Sequence, residues 1–321
     1  MTGSSEGGVA TAPAATRRLL ETLGGRRSRT RGSGGRLPLL PQLAMLLPAL
    51  ALFTVLVIIP LVMSIVYSFT NLDSYGRVTS VVGLANYKHL FLDPNTVRAL
   101  EVTAVLTIVC TVVINFASVG IAMLLNQRGP MYNVYRSAIF YPYVFSALIS
   151  GFVWSAILNP DGAINTLLTR FGLAPVPFFT DPNLAVVSLI VVTIWNSMGF
   201  SVVLYLAGLQ TIPQDLLEAA EVDGASSFQR FRKVIWPLLG PTVTINIVLV
   251  SIGLLRTYDL VVSLTGGGPA GQSNTIAYRI IALGFSSNEA GQASAGAVVL
   301  LLATIALAGI VMLVRRRTSW T

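Results

Sequence analysis

Val102-Thr-Ala-Val-Leu-Thr-Ile-Val-Cys-Thr-Val-Val-Ile-Asn-Phe-Ala-Ser-Val-Gly-Ile-Ala-Met-Leu-Leu-Asn-Gln127 runs for 26 residues without an Asp, Glu, Lys or Arg. An α-helix rises about 1.5 Å per residue, so about twenty such residues cross a hydrocarbon core of ~30 Å. Working outward, five more uncharged apolar stretches appear: Leu43–Thr70, Ser137–Asn159, Asn183–Gln210, Leu238–Leu255 and Ala293–Val314. The pattern predicts an all-α, polytopic membrane protein with six transmembrane helices, near 43–70, 102–127, 137–159, 183–210, 238–262 and 293–314. The fifth is the shortest uncharged stretch, because Arg256 interrupts it.

Composition agrees. Of 321 residues, 54% are hydrophobic and 11% charged, where an ordinary soluble domain carries roughly 25% charge. The formal charge of +8 suggests nucleic acid only until its placement is read. Seven arginines from Arg17 to Arg36 precede the first span, Arg128 and Arg136 lie between the second and third, Arg230, Arg232 and Lys233 between the fourth and fifth, and Arg315, Arg316 and Arg317 after the sixth. These make 15 of the 21 basic residues, all on one side of an alternating chain. Positive charge collects on the inner face, so both termini are expected to be cytoplasmic, in contact with membrane lipid and not nucleic acid. Residues 1–40, rich in Gly, Ser, Thr, Ala and Arg, read as a disordered basic tail. The apolar block behind the tail is too long for a signal-peptide core.

Several chemistries lose their material. Cys110 and His89 are each the single residue of their kind, so no metal centre, disulfide or catalytic residue is expected. The first four spans and the sixth hold no ionisable side chain in their middle. An ion-coupled secondary carrier usually keeps one there despite its cost, and an intramembrane enzyme needs paired acid–base groups at depth. Neutral polar groups do occur: Asn115, Tyr141, Trp154, Asn196 and Asn246. Amides bond hydroxyls and aromatic faces stack on sugar rings, although helix-to-helix bonding and an interfacial belt account for the same residues. The candidate path residues are Tyr141, Asn196, Asn246 and Tyr258.

Between the fourth and fifth spans lies Gln210-Thr-Ile-Pro-Gln-Asp-Leu-Leu-Glu-Ala-Ala-Glu-Val-Asp-Gly-Ala-Ser-Ser-Phe-Gln-Arg-Phe-Arg-Lys-Val-Ile-Trp-Pro237. Pro213 suits the first turn of a helix, Asp215 its positive end, and Leu216, Leu217, Ala219 and Ala220 its body. Gly224 allows a sharp turn or a close approach. Phe228, Phe231 and Val234 form a three-residue row along a second short helix. This is a helix-turn-helix between spans.

Glu218-Ala219-Ala220, three residues, Gly224, nine residues and Val234-Ile235-Trp236-Pro237 resemble the E-A-A-x3-G-x9-I-x-L-P signature of ABC importer permease subunits, with Val234 and Trp236 in place of the usual Ile and Leu. Thr257-Tyr-Asp-Leu-Val-Val-Ser-Leu-Thr-Gly-Gly-Gly-Pro269 and Leu84-Ala-Asn-Tyr87 resemble stretches of the carbohydrate-uptake branch, the maltose-type binding-protein-dependent systems. The glycine run lacks the Gly-Lys-Ser/Thr that follows in a phosphate loop.

The resemblance implies a type I ABC importer permease fold in a bacterial cytoplasmic membrane. Its partners would be a second homologous permease, two cytoplasmic ATPase subunits and an extracytoplasmic solute-binding protein. No cofactor would bind this chain, and ATP and Mg would bind the partner ATPases. The resemblance assigns coupling to the loop 211–237 through Glu218, Ala219, Ala220, Asp223, Gly224, Phe228 and Pro237, and implies import of a sugar or oligosaccharide.

Overall fold

A computed structural model describes residues 39–73 and 75–317. The basic tail expected over 1–40 lies outside the described residues, apart from its last two positions. The chain divides into one unit up to Ile59 and a second from Pro60 onward. In the first, α1 (Leu39–Phe53) runs into a π-helical turn, Thr54–Ile58, and its described side chains from Met45 on are exposed.

The second unit begins with α2 (Ile59–Tyr67), the antiparallel strands β1 (Thr70–Leu72) and β2 (Val78–Val81), and α3 (Ala85–Leu92). Then come α4 (Pro94–Leu125), α5 (Pro130–Val144), α6 (Ala147–Leu158), α7 (Ala163–Arg170) and α8 (Pro182–Gln210). The chain ends with α9 (Gln214–Val222), α10 (Ser227–Arg230), a second π-helical turn over Phe231–Ile235, α11 (Trp236–Leu255), α12 (Asp259–Leu264), α13 (Ile276–Phe285) and α14 (Ala290–Arg317). Among the described residues, six helical stretches have the length and apolar character to cross a membrane.

Local chemistry sets these boundaries. Asp93 and Asp181 cap α4 and α8, each accepting from two backbone N–H groups of the first turn, and Pro94 and Pro182 follow at the position where a missing N–H costs nothing. Both π turns have one cause. Pro60 and Pro237 cannot donate to the carbonyl four residues back, and just before each proline the ladder slips to a five-residue step: Ile59 N–H bonds Thr54 O, and Trp236 N–H bonds Phe231 O.

Where the sequence placed single spans, the structure is more broken. The region 137–159 forms as α5 and α6, separated by extended Phe145 and Ser146. The fifth helix stops at Leu255 rather than near 262, and α12 restarts at Asp259. The first ends at Tyr67, not Thr70, because Thr70 is already in β1. There the Leu84-Ala-Asn-Tyr87 motif acquires a physical role. Asn86 donates to the carbonyls of Ser68 and Thr70, both at 2.9 Å, and the Tyr87 hydroxyl pairs with Ser68 Oγ at 2.7 Å. The two amide bonds satisfy carbonyls of the turn that leads from α2 into β1.

The core is built on α4, which packs lengthwise on α8 and α11. One buried cluster gathers Leu106, Cys110 and Ile114 of α4 with Leu189, Val250 and Val261; a second gathers Ala122, Leu125, Tyr205, Leu206 and Leu239 nearer the end that carries α9 and α10. Gly199 makes α5 and α8 touch: a methyl there would sit 2.5 Å from Ile139 O and 2.9 Å from Phe140 Cα.

Candidate functional site

The chain from Gln210 to Pro237 folds as a helical hairpin standing on the second core cluster. Pro213 is the N-cap of α9, one position earlier than the sequence suggested, and Asp215 lies in the first turn. At the other end Gly224 N–H bonds Glu221 O at 3.0 Å and Ala225 N–H bonds Ala220 O at 2.9 Å. This pair of reversed bonds is a Schellman motif, which needs a left-handed residue where Gly224 sits with φ +76°. A side chain at Gly224 would meet nothing within 4 Å, so within this chain the glycine serves backbone conformation, not close packing.

Two residues later a new helix starts. Ser226 Oγ accepts from Gln229 N–H while Gln229 Oε1 accepts from Ser226 N–H, a capping box. Arg230 reaches across the tip to Glu221 at 2.7 Å, but the pair is exposed, and such pairs contribute about 0–1 kcal/mol. The hairpin is held mainly by Leu217, Phe231, Ile235 and Trp236, which pack onto the second cluster. The row expected from Phe228 through Phe231 to Val234 does not form one packed face. The π turn changes the register after Arg230, leaving Phe228 69% exposed while Phe231 turns inward.

The opposite face of the hairpin is unpartnered. Glu218, Ala219, Asp223 and Gly224 are exposed, Ala220 is half-buried, and Pro237 is half-buried at the root of α11. Sequence reasoning missed an exposed apolar row beside them: Leu216 at 45% and Val222 at 87% exposure flank Ala219 at three-residue spacing. That spacing was legible; which side faced out was not. Nearby, Arg136 ties down the neighbouring loop, donating to Leu125 O at 2.7 Å and Gln127 O at 2.9 Å. A cation is favoured where α4 leaves its last carbonyls unpaired.

Within the bundle, two of the four path candidates come together. Asn196 and Tyr258 line one cavity of about 210 Å³, with Thr193, Ser197, Arg256 and Asp259. Asn196 donates to Pro142 O at 3.0 Å and Ser150 Oγ at 3.1 Å. The break after α5 removes the helical partner of Pro142 O, and Asn196 takes that carbonyl. Tyr141 does not line this cavity; it is 62% exposed and meets Phe145 edge-on at 5.0 Å. Asn246 is not there either. It is fully buried and donates to Asn115 Oδ1 at 3.0 Å, the oxygen that also receives the Tyr205 hydroxyl at 2.5 Å. The polar group read as path lining joins three helices instead. Missed by the sequence reading, Tyr143 and Phe200 pair at 5.2 Å beside an adjoining cavity of about 270 Å³.

The glycine run after α12 is a tight turn. Gly266 and Gly267 take positive φ, Ser273 Oγ donates to Gly268 O at 2.5 Å, and the Tyr278 hydroxyl donates to Gly266 O at 3.0 Å. Among the described residues no group of three or more His, Cys, Asp or Glu side chains is placed to hold a metal.

Residues 42–320 match the family of binding-protein-dependent transport system inner membrane components. The chain is 32% identical over 271 residues to the sn-glycerol-3-phosphate transport system permease protein of Brucella abortus, covering 82% of this chain and 90% of that protein. It is 32% identical to the trehalose/maltose transport system permease protein of Thermococcus litoralis, over 72% of this chain and 79% of the other. Its fold is similar to that of a chain in a bacterial ABC transporter involved in alginate import, with TM-score 0.77 and 22% identity, covering 87% of this chain and 96% of that one.

Proposed function

Because the chain belongs to the family of binding-protein-dependent transport system inner membrane components, we propose that it is the half-pore of an ATP-driven importer for a neutral sugar or oligosaccharide. It is a transport component, not an enzyme, and ATP with Mg would be handled by two partner ATPase subunits. A second, homologous permease would complete the pore, and an external binding protein would deliver the solute. The positive-inside pattern supports a cytoplasmic position for the hairpin and both termini.

The observation that carries this reading is the hairpin itself. Its inner face is fixed to the bundle through Leu217, Phe231 and Trp236, while Glu218, Ala219 and the row Leu216–Val222 stay uncovered. A part-apolar knob that also bears the exposed carboxylates of Glu218 and Asp223 suits a cleft in a partner that changes shape. Its packing on α8 and α11 carries that displacement to the helices around Asn196.

For the solute, the cavity beside Asn196 offers an amide oxygen, hydroxyls and the Tyr258 ring, while Arg256 and Asp259 on its rim offset one another. That balance suits an uncharged polyol better than a phosphorylated one. The name of the trehalose/maltose relative agrees with a neutral sugar, whereas that of the sn-glycerol-3-phosphate relative names a phosphorylated solute.

The test is the assembled importer in vesicles, comparing Gly224→Trp with the unaltered chain. Solute uptake should fall at least tenfold while the ATPase subunits remain bound or hydrolyse ATP without transport. Unchanged uptake and unchanged solute-stimulated hydrolysis would take the hairpin out of the mechanism.

A further inference from the structure

Between α11 and α14 lies a groove of about 300 Å³, lined by Trp236, Val243, Ile247, Ile310, Val314 and Arg315 among others. From these residues we infer a binding site for one anionic phospholipid of the leaflet on the hairpin side.

The argument starts from length. The continuous helical stretch Ser227–Leu255 has 29 residues, about 43 Å, which exceeds a hydrocarbon core of about 30 Å. The 20 residues of α11, Trp236–Leu255, match that core, so Trp236 falls at the membrane boundary. Ile247 lies eleven residues farther along, or about 16 Å, which is close to the midplane. The groove therefore spans the depth of one leaflet, the reach of one acyl chain.

Its chemistry changes along that depth in the order a phospholipid requires. The inner part is lined by Val243, Ile247, Ile310 and Val311, whereas the boundary end carries the Trp236 indole and the exposed Arg315 guanidinium. Arg232 and Lys233, exposed on the π turn just outside Trp236, add positive charge, and none of the groove's lining residues is acidic. A basic residue near the bilayer surface attracts an anionic lipid. A zwitterionic headgroup lacks the net charge for that attraction. One wall, α11, also continues directly from the hairpin.

Trp236 is the natural reporter. The full-length chain is placed in phosphatidylcholine nanodiscs, and tryptophan emission is quenched with phosphatidylglycerol or phosphatidylcholine brominated on the acyl chains. Subtracting the Trp236→Phe signal isolates the groove. Brominated phosphatidylglycerol should quench that component at a three- to tenfold lower mole fraction than brominated phosphatidylcholine. Arg315→Gln, an exposed change that leaves packing intact, should abolish the preference, and Thr244→Phe should weaken quenching by both lipids. Equal quenching by the two lipids, indifferent to Arg315→Gln, would reduce the groove to ordinary lipid solvation and overturn the proposal. No quenching of Trp236 by either lipid would overturn it too, by showing the groove filled by protein. Neither result bears on coupling through Gly224, which is read separately by uptake.

Discussion

Asn246 donates from Nδ2 to Oδ1 of Asn115 across 3.0 Å, so that α11 is joined to α4 through an oxygen that also accepts the Tyr205 hydroxyl of α8. Three of the membrane-crossing helices thereby share one acceptor, with no exposed surface at Asn246 or Tyr205. In an apolar surrounding the hydrophobic effect does little to choose between helix pairings, and polar bonds of this kind set register.

Asn246→Leu therefore removes a clamp, not a solute contact. We expect a loss of about 0.5–1.5 kcal/mol, seen as a lower unfolding midpoint in detergent, with little change in the solute concentration for half-maximal uptake. A large rise in that concentration with unchanged stability would return Asn246 to the path.

Gly199 and Gly120 make a paired test of close packing. A methyl at Gly199 meets the backbone of Ile139 and Phe140, whereas one at Gly120 meets nothing within 4 Å. Gly199→Ala should cost about 1–3 kcal/mol, and Gly120→Ala should be neutral or slightly stabilising. Thermal unfolding of the two variants side by side decides it.

At the hairpin tip, conformation outweighs charge. Gly224→Ala forces a Cβ into left-handed backbone and should cost about 1 kcal/mol, with Gly224→Asn nearer the original because asparagine tolerates that region. Arg230→Gln, which breaks the exposed pair with Glu221, should change stability by less than about 0.5 kcal/mol. Uptake should rank Gly224 above Asn above Ala, and be nearly unaffected by Arg230→Gln.

Asp93 gives an acid-side prediction. Burial alone would raise its carboxyl, but hydrogen bonds from Thr96 and Asn95 and the Arg279 guanidinium at 3.0 Å hold it below its ordinary value of 3.8. A group depressed on folding contributes stability that is present above its unfolded value and lost as pH falls through its folded value. The unaltered chain should lose this contribution progressively below pH 3.8. Asp93→Asn keeps an acceptor at the N-cap but loses the charge that pairs with Arg279, so it should be less stable at neutral pH by about 0.5–1 kcal/mol and should show a shallower decline below pH 4. Unfolding midpoints measured across that range check both parts.

The six apolar stretches and the two-helix loop were readable because each is written locally. A run such as Val102–Gln127 announces its length, and Pro213, Asp215, Gly224 and Pro237 punctuate a hairpin over fewer than thirty residues. The splitting of the third stretch was only half visible. Pro142 hinted at a bend, yet the break falls at Phe145 and Ser146, where Asn196, 54 residues away, accepts responsibility for the stranded Pro142 carbonyl.

Sequence by itself determined that this chain has six membrane-spanning stretches and a helical hairpin between the fourth and fifth, since both depend on apolar run length and on caps made by near neighbours. Tertiary structure decided which polar side chains face a cavity and which bind helices together. Asn196 and Asn246 are the same amide in similarly apolar helices, and a helix apolar all round has no stripe to mark its inner face. Only the packing of α4, α8 and α11 turns one toward Tyr258 and buries the other against Asn115.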